Sequence, residues 1–222
     1  MMSVESGVRP VQRQSENKKR VGKIRKKNEQ IIIAAAEIEF ASCGYEGATI
    51  DNIARRAGVA RTNINYYFDN KLKLYAAILS GILELWDYAL DDLNPTDEPA
   101  IALSEYIRLK VEFSRSNPLA SRIFAREVLS GAPRLNQYFD GSYEAWFNEK
   151  VAVFAAWAEL GKMDPVNPSH LMFLIWSSTQ HYADFETQVS SALGKTELED
   201  QDYAMATKTL THIVLKGTGC IS

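Results

Sequence analysis

The sequence predicts an all-α protein of about nine helices, and three observations support that prediction. Apolar residues recur at helical spacing along nearly the whole chain, no stretch alternates with period two, and Gly- and Pro-containing breaks divide the chain into helix-sized pieces. With 222 residues, 46% of them hydrophobic and 24% charged, the chain can bury a sizeable core. The helices fall into a small N-terminal group and a larger body.

Residues 1–20, rich in Lys, Arg, Gln and Ser, read as a flexible basic arm. Lys18, Lys19, Arg20, Lys23, Arg25, Lys26 and Lys27 are dense enough to follow a phosphate backbone or enter a minor groove. A solubilising tail accounts for the same run. The first helix is expected over 21–43, with Ile31, Ile32, Ala35, Ala36, Ile38 and Phe40 as its apolar stripe and Gly44 as its stop. Thr49 then offers an N-cap, and Asp51 suits the positive end of the helix dipole. The short helix Ile50–Ala57 closes on Gly58, and a second begins near Arg61 and ends by Asn70. Ile50, Ile53, Ala54, Val59 and Ile64 supply the faces that pack the pair. Two short helices joined by a tight Gly-containing turn form a helix-turn-helix, so 21–70 reads as a DNA-binding domain.

In its second helix Arg61 can pair with guanine, Asn63 with adenine, and the Thr62 methyl can meet a thymine methyl. Tyr66, Tyr67, Lys71 and the helix end capped by Thr49 suit phosphates, and Asn65 suits either task. An ordinary helical hairpin with a polar surface also fits so short a pattern. Charge agrees with the nucleic-acid reading: residues 1–75 hold 14 Lys and Arg against 8 Asp and Glu, while the rest holds 11 against 20.

The body, 71–222, reads as an effector-binding and dimerisation domain. A long helix runs from Lys71 to about residue 90, and a Pro-rich break follows at 94–99. Further helices are expected at about 100–115, 119–130, 135–160, 168–187 and 197–216.

Several function classes are excluded at this level. No apolar run approaches the ~18–20 residues of a membrane span, and the polar basic start is no secretory signal. Cys43 and Cys220, at opposite ends, make no disulfide framework, so a reduced, cytoplasmic setting is expected. Ser177, Ser178, His181 and Asp184 share one helix, whereas a catalytic triad converges from different elements. His170, His181 and His212 are far apart and lack metal-ligand spacing. Neither an enzyme nor a metal or cofactor site is expected.

The run Ala48-Thr49-Ile50-Asp51-Asn52-Ile53-Ala54-Arg55-Arg56-Ala57-Gly58-Val59-Ala60-Arg61-Thr62-Asn63-Ile64-Asn65-Tyr66-Tyr67-Phe68-Asp69-Asn70-Lys71 resembles the DNA-binding signature of the TetR family of repressors. The aromatic pair before Phe68 and the lysine opening the next helix are its telling features. The body resembles the pyrimidine-utilisation branch of that family, whose members sense uracil or thymine. Four segments carry this: Ile82-Leu83-Glu84-Leu85-Trp86; Glu105-Tyr106-Ile107-Arg108-Leu109-Lys110; Leu129-Ser130-Gly131-Ala132-Pro133; and Ile175-Trp176-Ser177-Ser178-Thr179-Gln180-His181-Tyr182-Ala183-Asp184-Phe185.

The resemblance implies a homodimer on an inverted-repeat operator, released by its ligand and controlling genes of pyrimidine utilisation or nitrogen metabolism. It implies an interface built from the last two long helices, within which Leu171, Ile175, Leu210 and Val214 read as the apolar contact residues. It also implies that Trp86, Trp176 and Gln180 line the effector pocket.

The residues themselves allow that role. Trp176 and Gln180, four apart, share a helix face, and an indole beside an amide suits a flat ring with a carbonyl and an N–H. On the residues alone a core tryptophan beside a satisfied amide is the more general reading, and it is the resemblance that turns the pair toward the pocket. Lys110, Arg108 and Tyr106 are weaker pocket candidates that solvated helix faces also explain, and Trp146 and Trp157 read as core or interface packing. Two other functions stay open: a ligand-free architectural DNA-binding protein, and a TetR-type repressor with a larger, mainly aliphatic pocket for an apolar effector.

Overall fold

The computed structural model describes residues 10–91, 93–135, 139 and 141–221, with side chains from residue 23 onward. The described residues form ten helices: α1 (Pro10–Gly47), α2 (Ile50–Ala57), α3 (Arg61–Phe68), α4 (Lys71–Asp91), α5 (Pro99–Ser116), α6 (Pro118–Leu129), α7 (Gly141–Glu159), α8 (Pro168–Asp184), α9 (Glu186–Ala192) and α10 (Asp200–Gly217). None is long and apolar enough to cross a membrane. The chain divides after Tyr75 into two compact units.

The first unit is organised by helix ends. Helix α1 starts at Pro10, well ahead of residue 21, so half of the expected arm is drawn as helix. Proline is tolerated in a first turn, and the Gln, Glu, Lys and Arg that follow are good helix formers. Lys18, Lys19 and Arg20 lie outside the described side chains. Gly44 interrupts α1 with φ 70° and ψ 178°, a backbone that glycine adopts at no steric cost. Thr49 caps α2 by accepting the Asn52 N–H at 3.1 Å, and Gly58 ends α2 in the left-handed region at φ 67°. Ile53 and Ile64 have no exposed surface and Phe68 is buried, so α2 and α3 each keep one apolar face inward. Glu39 fastens α1 to α2: its buried carboxylate accepts the Asn52 amide at 2.8 Å and lies 3.8 Å from Arg56.

In the second unit, α5 packs against α8 and α10, and α8 packs against α6 and α7. Its core contains Leu103, Ile107, Phe154, Trp157, Met172 and Ile175, and Trp157 donates its indole N–H to the Asn94 carbonyl at 3.0 Å. The tenth helix arises because α8 stops at Asp184. Phe185 takes φ −117° and ψ 28°, and α9 restarts at Glu186 where continuous helix was expected to residue 187. Helix α10 starts at Asp200 on a capping box between Glu199 and Asp202.

Burial corrects the expected dimer-interface residues. Leu171, Ile175 and Val214 are buried within the single chain, and Leu210 packs against the same core. The exposed apolar side chains of the two helices are Phe173 and Leu174 on α8 and Met205 and Ile213 on α10. The sequence Leu171-Met172-Phe173-Leu174-Ile175-Trp176 is apolar all round, so periodicity alone could not say which face serves the chain's own core.

Candidate functional site

On α3, Ile64 and Phe68 point inward and leave Arg61, Thr62, Asn63, Asn65 and Tyr66 exposed. Thr62, Asn63 and Tyr66 are three and four apart and therefore share a face. Tyr66 is 70% exposed, with the Arg25 guanidinium of α1 5.8 Å from its ring. Tyr67 is half-buried and accepts a hydrogen bond from the Asn28 amide at 3.3 Å.

Two cations are engaged within the protein. Arg61 donates twice to the Asp51 carboxylate, at 2.8 and 3.0 Å, in an exposed pair of the kind worth ~0–1 kcal/mol. Lys71 donates to the carbonyls of Tyr45 at 2.8 Å and Ala48 at 3.1 Å, with its ammonium 4.4 Å from the Tyr45 ring centre. That ammonium therefore satisfies the chain end of α1 and the approach to α2. The geometry favours a staple over the phosphate contact that the sequence suggested.

In the second unit, Trp86, Trp176 and Gln180 line one cavity of about 210 Å³. Trp86 comes from α4, and Trp176 and Gln180 lie one helical turn apart on α8. Trp86 meets Phe124 of α6 edge to face, with centroids 4.7 Å apart. Trp176 is held from two sides: its indole N–H donates to the Tyr106 hydroxyl at 2.7 Å, and Phe147 lies edge-on at 5.7 Å. That hydroxyl in turn lies 3.5 Å from the Met172 sulfur. Burial drives the Tyr106 hydroxyl's pKa well above the usual phenol range, so it stays protonated.

The structure adds polar members. Lys110 of α5 is only 1% exposed, lines the cavity and sets its ammonium 4.2 Å from the Trp86 ring centre. Burial pulls its pKa down to about 7, against the opposing pull of Asp184 and Asp87. Asp87 also lines the cavity, and its carboxyl is pushed up by burial and by Asp91. Tyr143 and Trp146 of α7 join the wall, so Trp146 belongs to the cavity, whereas Trp157 is core. A solvated face thus fits neither Lys110 nor Tyr106 and holds only for Arg108, which is exposed and bidentate with Glu105. One sequence signal favours the pocket over a solvated face for Lys110: it continues the inward stripe Leu103, Ile107, Ser114 of α5 at spacings of four, three and four. Among the described residues, no group of three or more His, Cys, Asp and Glu could hold a metal ion.

An exposed polar helix on a capped helix-turn-helix, joined to a helical body with an aromatic cavity, is the arrangement of a DNA-binding transcriptional regulator. Residues 32–78 match the family of bacterial regulatory proteins, tetR family, and residues 79–220 match the C-terminal region of YcdC-like proteins. The chain belongs to the TetR family of DNA-binding transcriptional regulators. Regulators of this family bind operator DNA and small-molecule effectors and form dimers.

The chain is similar to the HTH-type transcriptional regulator RutR of Escherichia coli, at 41% identity over 84% of this chain and 88% of that protein. Among solved structures, a TetR-like transcriptional regulator from Rhodococcus shares the fold with a TM-score of 0.61. It is 17% identical, over 86% of this chain and 94% of its own. The fatty acid degradation regulator FadR from Bacillus halodurans does so with a TM-score of 0.61 at 16% identity, over 86% and 95%.

Proposed function

We propose that this regulator represses genes of pyrimidine utilisation or nitrogen metabolism and leaves its operator when uracil or thymine enters the cavity of the second unit. The observation that carries this reading is the convergence of Trp86, Trp176 and Gln180 on one small cavity. The indoles offer flat faces to a ring, and the Gln180 amide can donate to a ring carbonyl and accept from a ring N–H. Likeness to RutR over most of both chains supports the same assignment.

Size separates this from the second reading, a larger apolar effector. About 210 Å³ lies below the ~300–1,000 Å³ typical of sites for drug-sized ligands. A lysine, an aspartate and an amide in the wall suit a polar ring better than an acyl chain.

In this proposal Thr62, Asn63 and Tyr66 face the DNA, and Asn65 borders them. Arg61 exchanges Asp51 for a base edge or phosphate, and the Thr49-capped end of α2 meets a phosphate. The protein acts as a homodimer on an inverted repeat, since two recognition helices must reach successive major grooves ~34 Å apart. Helix α4 begins at Lys71 and carries Trp86, so closure around the ring has a continuous element through which to act. Ligand release requires the ring to bind the DNA-free conformation better, and a coupling of ~1–3 kcal/mol gives roughly 5- to 150-fold derepression.

Calorimetry with uracil, thymine and dihydrouracil, against hydrophobic dyes as controls, tests the assignment. Saturable binding of the pyrimidines and none of the dyes is expected. The reverse pattern would select the apolar-effector reading.

A further inference from the structure

The ion pair between Asp51 and Arg61 serves neither of the usual ends of charge on a DNA-binding surface. Both side chains are 61% exposed, so the pair adds little to stability. Its net charge is zero, so as a unit it attracts no phosphate and releases no counterion. It ties the first turn of α2 to the first residue of α3, and the exposed Thr62 and Asn63 follow directly. A neutral pair in that position can decide which base is read, because it fixes the direction of the donors that remain.

Those donors are set by how Asp51 holds the guanidinium. Both carboxylate oxygens accept from the same nitrogen, Nη1, at 3.0 and 2.8 Å. Among the described residues, Nε and Nη2 have no partner. Their N–H bonds run side by side along the other edge of the planar group, a fork that meets the two major-groove acceptors of guanine, O6 and N7. Adenine offers an acceptor beside a donor there, thymine one acceptor beside a methyl, and cytosine a donor. Only guanine takes both bonds.

We infer that Asp51 is a positioning residue for sequence recognition: it holds Arg61 by Nη1 so that the Nε–Nη2 edge reads a guanine in place of a phosphate. The inference rests on the placement of Arg61 at the DNA given above and makes the exchange there a partial one. Arg61 gives up at most one of its two bonds to Asp51 and takes the base edge. Two effects of the carboxylate act in the same direction. It restrains a long side chain that would otherwise follow the nearest phosphate, and its own charge repels phosphates from that place.

The test uses the full-length protein as wild type, Asp51→Ala, Arg61→Ala and the double variant. Each selects from a pool of randomised duplex DNA, and affinities for the selected sequence and its single-base variants are then measured over a range of salt. Wild type is expected to select a guanine in each half-site whose replacement costs roughly 5- to 150-fold, the range of a bidentate base contact. Arg61→Ala should lose this preference. Asp51→Ala should lose most of it as well, yet bind unrelated DNA more tightly and with a salt slope steeper by about one, because the released guanidinium moves to a phosphate. In the double variant the lost preference should equal that of Arg61→Ala alone, since Asp51 acts through Arg61.

A purely structural Asp51, serving only the dipole of α2, would lower the melting temperature of Asp51→Ala and leave the order of preferred bases as in wild type. Asp51→Ser, a residue at home near helix N-termini, gives the same comparison should alanine unfold the protein. An unchanged guanine preference in Asp51→Ala beside a lost one in Arg61→Ala overturns the inference and leaves Arg61 on the base. A further loss of preference when Asp51→Ala is added to Arg61→Ala also overturns it, because Asp51 would then act by itself. Wild-type preference retained by Arg61→Ala removes Arg61 from the base edge, and the inference with it.

Discussion

The two units carry their chemistry on opposite sides of the surface. In the first, the polar side chains of α3 are turned outward, and apolar residues hold the helix from behind. In the second, polar groups are turned inward: Lys110, Tyr106 and the Trp176–Tyr106 hydrogen bond lie where a hydrophobic core would ordinarily be continuous. An outward site needs only a rigid helix at the right place, and each side chain there is replaceable at modest cost. An inward site desolvates its polar groups before a ligand arrives, so it is less stable when empty and selective when filled.

The same difference decides what could be read from the sequence. Local signals define the first unit. Thr49 before an apolar stripe, Gly58 after it, and the order of residues in α3 placed both helices and the exposed face. That Trp86, Trp176 and Gln180 share one cavity was also legible, through spacing and family resemblance. Lys110 was legible only as a weaker pocket candidate, because a lysine is solvated by default and its burial is set by α4 and α8, far away in sequence. The outward face of α8 was hidden for the converse reason: Phe173 and Leu174 look like Leu171 and Ile175 until their neighbours are known. Lys71 illustrates a third case: the sequence suggested a phosphate contact, while its partners within the chain, the Tyr45 and Ala48 carbonyls, lie on the preceding segment.

If the units are so divided, substitutions should separate their readouts. The largest effect is expected at the exposed apolar residues of α8 and α10. Ile213→Asp should yield a monomer in ultracentrifugation that no longer binds an inverted repeat; a tightly DNA-bound dimer would remove these helices from the interface. Next is Lys71→Met, which leaves two carbonyls without their charged donor and should cost about 1.5–3 kcal/mol in thermal or denaturant unfolding. Uracil affinity should be retained and the salt slope of DNA binding unchanged. A normal melting temperature with a salt slope reduced by about one would restore Lys71 to the phosphates.

Asn63→Ala should cost ~1–3 kcal/mol against the cognate operator and much less against scrambled DNA, since a base contact carries sequence preference. Uniform weakening across sequences would move Asn63 to the backbone. The smallest effect is expected for Thr49→Ala, about 1 kcal/mol of stability for the lost cap, read by urea unfolding.

The central claim, that a polar ring in the interior controls DNA held at the surface, is tested most directly by operator binding of wild type and Gln180→Leu, each with and without saturating uracil. Leucine keeps the volume of the side chain but buries the ring's polar edge without partners. Wild type is predicted to release the operator on addition of uracil, while Gln180→Leu holds it in both conditions. Equal release by both proteins would contradict the role given to Gln180, and release by neither would contradict uracil as the signal.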